Sequence, residues 1–126
     1  DMKEAILGML VAFAIANVTF MLVPVNIASL RAAELPDTVS GAFIGILYQV
    51  DGPTNCFPSL HVTFSLYAAM WAYVRFPRRT GAPLVMLGIA IAVSTMLVKQ
   101  HFVADVLGGT ALAISVFLAQ RPYRQT

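Results

Sequence analysis

Hydrophobic positions run along this chain in long blocks, and the polar residues gather where the blocks stop. Residues 5–23 form the first block, ended by Pro24, and match the ~20 mostly apolar residues that a spanning helix needs. Asn17 and Thr19 interrupt it, and one face of the helix is expected to bury them against neighbours. Residues 25–58 read differently, with Asn26, Arg31, Glu34, Pro36, Asp37, Asp51, Gly52, Pro53 and Asn55 spread through them. Inside that region residues 41–50 are apolar over only about half a span. They predict a short interfacial or re-entrant helix, followed by a turn at Asp51-Gly52-Pro53. Residues 59–76 give a second long helix, stopped by Pro77-Arg78-Arg79-Thr80-Gly81. From 83 to 119 the apolar run has no Gly-Pro break. As one helix it would be ~55 Å long at ~1.5 Å per residue, against a bilayer core of ~30 Å. It must fold back, and Lys99-Gln100-His101 is the one place polar enough. The split falls into helices at about 83–98 and 103–119. The expected architecture is an all-α membrane bundle of about four spanning helices plus one short interfacial helix.

Composition agrees with that pattern. Apolar residues make up 59% and charged residues 11%, against about 45–50% and about 25% in soluble domains. Mean hydropathy is +0.79. These values describe a multi-pass integral membrane protein with a single membrane-embedded domain over residues 1–126, and the opening residues do not read as a signal peptide. The lone cysteine, Cys56, excludes an internal disulfide and a Cys-based zinc site.

Charge adds an orientation. If the spans alternate, Lys3, Arg75, Arg78, Arg79, Arg121 and Arg124 lie on one side, and Arg31 and Lys99 on the other. The side richer in Lys and Arg is expected to be cytoplasmic. Arg31, Asp51, Ser59, His61, Lys99, His101 and Asp105 then fall near the non-cytoplasmic face, drawn from separate segments to one membrane level. Ionisable groups at such a level are costly and usually functional.

His101 and Asp105 are four apart, so on a helix they share a face. A carboxylate on one ring nitrogen fixes the tautomer and frees the other, which makes His101 a candidate nucleophile or base. The plainer reading is a surface His-Asp pair. Pro58 ahead of Ser59 marks a helix start with Ser59 as its N-cap, and the free N–H groups of such an end favour an anion. Ser59 as a mere cap, with His61 at headgroup level, is the plain alternative. Arg31 suits bidentate phosphate recognition and Lys99 a point charge, or both anchor the chain at the interface. Together, two histidines, a carboxylate, a helix N-terminus and two cations describe phosphoryl transfer without a metal or other cofactor.

These residues carry a resemblance. Pro58-Ser59-Leu60-His61 resembles the Pro-Ser-Gly-His motif of the type 2 phosphatidic acid phosphatase superfamily, with Leu in place of Gly. Ser94-Thr95, five residues, His101, three residues, Asp105 keeps the spacing of its last motif, with Thr95 where the family has Arg. The family's first motif, a Lys and an Arg-Pro pair, is absent as such, and Arg31 is the basic residue in that region. Phe57-Pro58-Ser59-Leu60-His61 and Lys99-Gln100-His101 look closest to the inositol phosphorylceramide synthase branch. The resemblance implies that His101 forms a phosphohistidine, oriented by Asp105, and that His61 serves as acid and then base. Ser59, Arg31 and Lys99 would hold and stabilise the phosphoryl group.

Three functions stay open on this reading: a lipid phosphate or diphosphate phosphatase, a phosphotransferase acting on a lipid alcohol, and a non-catalytic membrane subunit. Haem ligation by the two histidines would leave Asp105 and the phosphate-type motifs unexplained. The expected partners are a lipid phosphate substrate and membrane lipids, with room for membrane-protein partners and none for nucleic acid.

Overall fold

A computed structural model of the protein describes residues 2–120. They form five helices: α1 (Met2–Leu22), α2 (Val39–Val50), α3 (Leu60–Arg75), α4 (Arg78–Leu97) and α5 (Val103–Gln120). An isolated antiparallel bridge between Asn26 and Thr54 is the extended pairing recorded among the described residues. Arg121 and Arg124 lie outside them.

Helices α1, α4 and α5 are long and apolar enough to cross a membrane. Their outer surfaces stay apolar, as Leu10, Phe13, Leu87, Ile89 and Leu107 illustrate. A helix apolar all round suits lipid, because the only polar groups left are backbone ones bonded within the helix. Asn17 and Thr19 of α1 follow the same logic. Their side chains donate to Phe13 O at 2.7 Å and Ile15 O at 2.9 Å, so the helix's own carbonyls satisfy them where the sequence reading expected neighbouring helices.

The fourth expected span, α3, has 16 residues, ~24 Å at ~1.5 Å per residue. It is the central element, packed on α1, α4 and α5. Contact depends on small residues. A Cβ on Gly109 of α5 would stand 2.5 Å from Ser59 O, so only glycine permits this approach. Thr63 Oγ1 uses it, bonding Ser59 O at 2.7 Å and Gly109 O at 3.1 Å across the two helices. Membrane helices associate through such small-residue contacts and interhelical hydrogen bonds. Tyr67, Trp71 and Phe117 pack with ring centroids 6.4–6.5 Å apart over Ala12, Ala113 and Val116. At that end the Tyr67 hydroxyl bonds Gln120 Oε1, and Gln120 Nε2 donates to Glu4 O at 2.7 Å.

Two boundaries differ from the sequence reading. α4 begins at Arg78, so Arg78-Arg79-Thr80-Gly81 is its first turn and Pro83 lies inside it. Pro77 caps the turn, its carbonyl accepting from Thr80 N at 2.8 Å and Gly81 N at 3.0 Å. Pro83, the sixth residue of α4, forfeits the bond that an N–H there would make to Arg79 O, and the helix continues past it. The short helix α2 starts earlier than expected, at Val39, because Thr38 caps it by accepting from Gly41 N at 3.1 Å. At 12 residues it spans ~18 Å and is too short to cross. It makes no close backbone approach to the other helices, and polar tethers at its C-terminal end hold it.

Candidate active site

The fold-back sits where the sequence placed it. α4 ends at Leu97, and Lys99 takes a left-handed backbone with φ 56°. The carbonyl of Thr95 then accepts from Gln100 N at 2.9 Å and His101 N at 3.3 Å, which closes the turn. His101 follows it but precedes α5, whose first residue is Val103. The two residues of the His-Asp pair are therefore not on one helix, as their spacing suggested. Asp105 in the first turn of α5 reaches back instead. Its Oδ2 accepts from Phe102 N at 2.9 Å and lies 3.5 Å from His101 Nδ1. The carboxylate suits this place, since the N-terminal end of a helix favours negative charge.

The start of α3 lies against the start of α5. Ser59 caps α3, its hydroxyl accepting from Val62 N at 3.4 Å, while its own N–H donates to Asp105 O at 3.0 Å. Asp105 and Ser59 are both buried, at 1% and 0% exposure. Ser59 thus lies in the junction between helices rather than at the edge of an open pocket. Leu60 and His61 open the helix, where the first backbone N–H groups have no partner within the helix.

This junction sets the two imidazoles beside each other, with ring centroids 5.9 Å apart and planes tilted by 58°. His101 is buried and His61 exposed. Neither ring nitrogen of His101 has a partner within hydrogen-bond geometry. Burial pushes His101 below its ordinary pKa of 6.5, against the upward pull of Asp105, so the ring is held toward its neutral form. With Nδ1 turned to the carboxylate, Nε2 is the nitrogen left for chemistry. Rings at this separation can both reach one phosphoryl group placed beside them.

Arg31 reaches the same turn through Gln100. Its Nη1 donates to Tyr48 O at 2.9 Å, and its Nη2 to Asp51 O and to Gln100 Oε1, the latter at 2.8 Å. The guanidinium also stacks on the Tyr48 ring, 4.5 Å from its centroid. Tyr48 Oη in turn donates to Val98 O at 3.0 Å. Arg31 therefore ties the C-terminal end of α2 to the fold-back, with its Nε–H left buried and unpartnered. The structure brings His61, His101 and Asp105 together and joins Arg31 to them through Gln100. Lys99 stays exposed on the outside of the turn.

Gln100 is the residue that sequence reasoning passed over, and its only signal was a polar side chain in an otherwise apolar fold-back. Thr95, where the resembled motif has arginine, is buried with its hydroxyl spent on Ala92 O at 2.8 Å. Cys56 is buried too, its thiol pushed up to about 11 chiefly by burial, which leaves it a poor rival nucleophile. Among the described residues, no three His, Cys, Asp or Glu side chains converge as a metal site.

A family model described as the PAP2 superfamily matches residues 5–126. Comparison with curated proteins and with solved structures gave no match.

Proposed function

This chain belongs to the PAP2 superfamily, whose members are typically phosphoesterases or phosphotransferases, and on that premise we propose that it hydrolyses a lipid phosphate or diphosphate through a phosphohistidine. The observation that carries the reading is the pair of imidazoles with centroids 5.9 Å apart, one backed by Asp105. In the first step His101 Nε2 attacks phosphorus, the N–P bond forms and the P–O bond to the leaving group breaks. His61 gives its proton to the departing oxygen. In the second step His61 takes a proton from water, the resulting hydroxide attacks phosphorus, and the N–P bond breaks to release phosphate and free His101. Backbone N–H groups at the Ser59 end of α3 and the Arg31 guanidinium supply donors and positive charge for the phosphoryl oxygens, and Lys99, exposed outside the turn, adds its charge only at longer range.

The proposed site faces the non-cytoplasmic side of a multi-pass protein. Support comes from Arg75, Arg78 and Arg79, which lie at the α3–α4 end, away from the fold-back.

Phe57-Pro58-Ser59-Leu60-His61 favours a second reading, in which the chain belongs with inositol phosphorylceramide synthase-like members. His61 would then deprotonate a lipid alcohol in place of water, and the phosphorylated headgroup would be transferred. Thr95 favours a third, a member that keeps the fold without turnover, because its spent hydroxyl offers no donor where the motif has arginine.

The deciding experiment compares wild type with His101→Ala on a panel of lipid phosphates, with and without a lipid alcohol, and with added chelator. Phosphate release lost in the variant, unaffected by chelator, supports the phosphatase. A phosphorylated lipid formed only with the alcohol points to transfer. Equal background rates in both proteins would sink both enzymatic readings.

A further inference from the structure

The fold-back holds an unusual concentration of unsatisfied donors. Arg31 Nε and Gln100 Nε2 are buried without hydrogen-bond partners, and so are both ring nitrogens of His101, the residue that follows Gln100. Gln100 is only 5% exposed. Its amide orientation is fixed by chemistry: Arg31 can only donate, so the atom it meets at 2.8 Å must be Oε1. Nε2 then carries two N–H donors with no acceptor. Buried polar groups almost always find partners, and an orphan in a site is a reason to look for a ligand.

The ligand chemistry follows from what surrounds the orphan. Arg31 Nε offers one more donor, and the guanidinium adds a positive charge. A group rich in acceptors and negatively charged satisfies both, and a tetrahedral phosphoryl group meets that description. Lys99 precedes Gln100 in the turn, but its left-handed backbone leaves it exposed while Gln100 is the residue turned inward.

We propose that Gln100 is a substrate-contacting residue of this site, its Nε2–H group donating to a non-bridging phosphoryl oxygen beside His101 while its Oε1 holds Arg31 in place. The inference rests on the phosphoryl-transfer reading above and adds a neutral donor where Thr95 contributes none. The two ends of one side chain have separate tasks, and substitution can separate them. Gln100→Glu keeps an oxygen for Arg31 and replaces the donor by an anionic acceptor. Gln100→Leu removes both.

Orthovanadate, a phosphate analogue, is the probe, titrated into the full chain in detergent micelles and followed by vanadium NMR. Wild type, His101→Ala, Gln100→Glu and Gln100→Leu are compared, each with its thermal midpoint. Gln100→Glu is expected to weaken vanadate binding about 10–100-fold, the scale of a lost hydrogen bond to a charged group. Its midpoint should not fall, because Arg31 keeps its partner. Gln100→Leu should lose both affinity and midpoint. In wild type, the side-chain amide signal of Gln100 in a glutamine-labelled sample should move as vanadate is added. That measurement needs no variant to fold. Affinity for Gln100→Glu within about twofold of wild type, or an amide signal that stays put while vanadate binds, would overturn the role of Gln100 alone. Wild type that takes up no vanadate would overturn the phosphoryl-transfer reading and this inference with it.

Discussion

Asp105→Asn is the substitution that tests the site most sharply, because it changes charge while nearly preserving shape. The carboxylate is 1% exposed and stands 3.5 Å from His101 Nδ1. In the proposed mechanism Nε2 bonds to phosphorus, and the ring acquires positive charge that this carboxylate opposes. At an effective dielectric of ~20, opposite unit charges ~4 Å apart attract by ~4 kcal/mol, equivalent to about 10³-fold in rate. The asparagine oxygen still accepts from Phe102 N–H and retains a dipole, so part of that sum survives. The expected outcome is a kcat lower by about 10²–10³-fold, with KM changed only a few-fold. The pH profile gives an independent readout. In the proposed mechanism the neutral ring is the nucleophile, so the rate falls as pH drops through the His101 pKa. Burial places that pKa below 6.5, and the Asp105 charge partly restores it. Without the charge, burial acts with less opposition and the acidic limb of kcat should move to lower pH. Phosphate release from a lipid phosphate in micelles, measured from pH 4.5 to 8, checks both. A limb that moves upward, or a kcat within about threefold of wild type, would refute the assignment of Asp105 as the partner of His101.

Other substitutions probe separate parts of the structure. His61→Ala should lower kcat by about 10²–10⁴-fold on a lipid phosphate, and by much less on an activated substrate whose leaving group needs no proton; equal losses on both would contradict its role as the acid. Gly109→Ala forces a Cβ to within 2.5 Å of Ser59 O, so α3 and α5 must part. A loss of about 1–3 kcal/mol in stability is expected, measurable as a lower thermal midpoint in detergent. Arg79 is exposed at the α3–α4 turn. A Cys introduced there by Arg79→Cys, in a Cys56→Ala background, should resist an impermeant thiol reagent added outside intact cells; ready labelling would reverse the proposed orientation.

How far the sequence could be read depended on whether local chemistry or distant packing decided each feature. Pro24, Ser59 and the Lys99-Gln100 turn mark real boundaries because a ring without an N–H, a capping hydroxyl and a polar break each act within a few residues. The cluster at 77–81 misled because the residues that end α3 also open α4: Pro77 caps it and residues 78–81 form its first turn. The His101–Asp105 contact was legible as spacing but not as geometry. It arises from a carboxylate reaching back to the residue before its helix, not from two side chains on one face. Gln100 and Arg31 meet across 69 positions, and no periodicity records such a pairing. Nor could the motif reveal that Ser59 would be wholly buried, since that follows from Gly109 letting α5 close over it.

The unequal burial of the two histidines is the feature that best assigns their proposed roles. A nucleophile must reach phosphorus unprotonated and without a water shell, and His101 is buried, turned toward its neutral form and oriented by a carboxylate. An acid that later becomes a base must exchange protons with whatever enters the site, and His61 is the exposed ring of the pair. Exchanging the roles would ask a buried ring to shuttle protons to water and an exposed ring, with no carboxylate among its described contacts, to hold one tautomer. The asymmetry has its source in the backbone. His101 is drawn inward because Thr95 O binds the N–H groups of Gln100 and His101, while His61 lies exposed in the first turn of α3. A single-turnover experiment would test the assignment directly. His61→Ala should still accumulate an acid-labile phosphoprotein from an activated substrate, because attack needs only His101 and hydrolysis needs the missing base. A phosphoprotein that forms in His101→Ala instead would move the nucleophile to another residue.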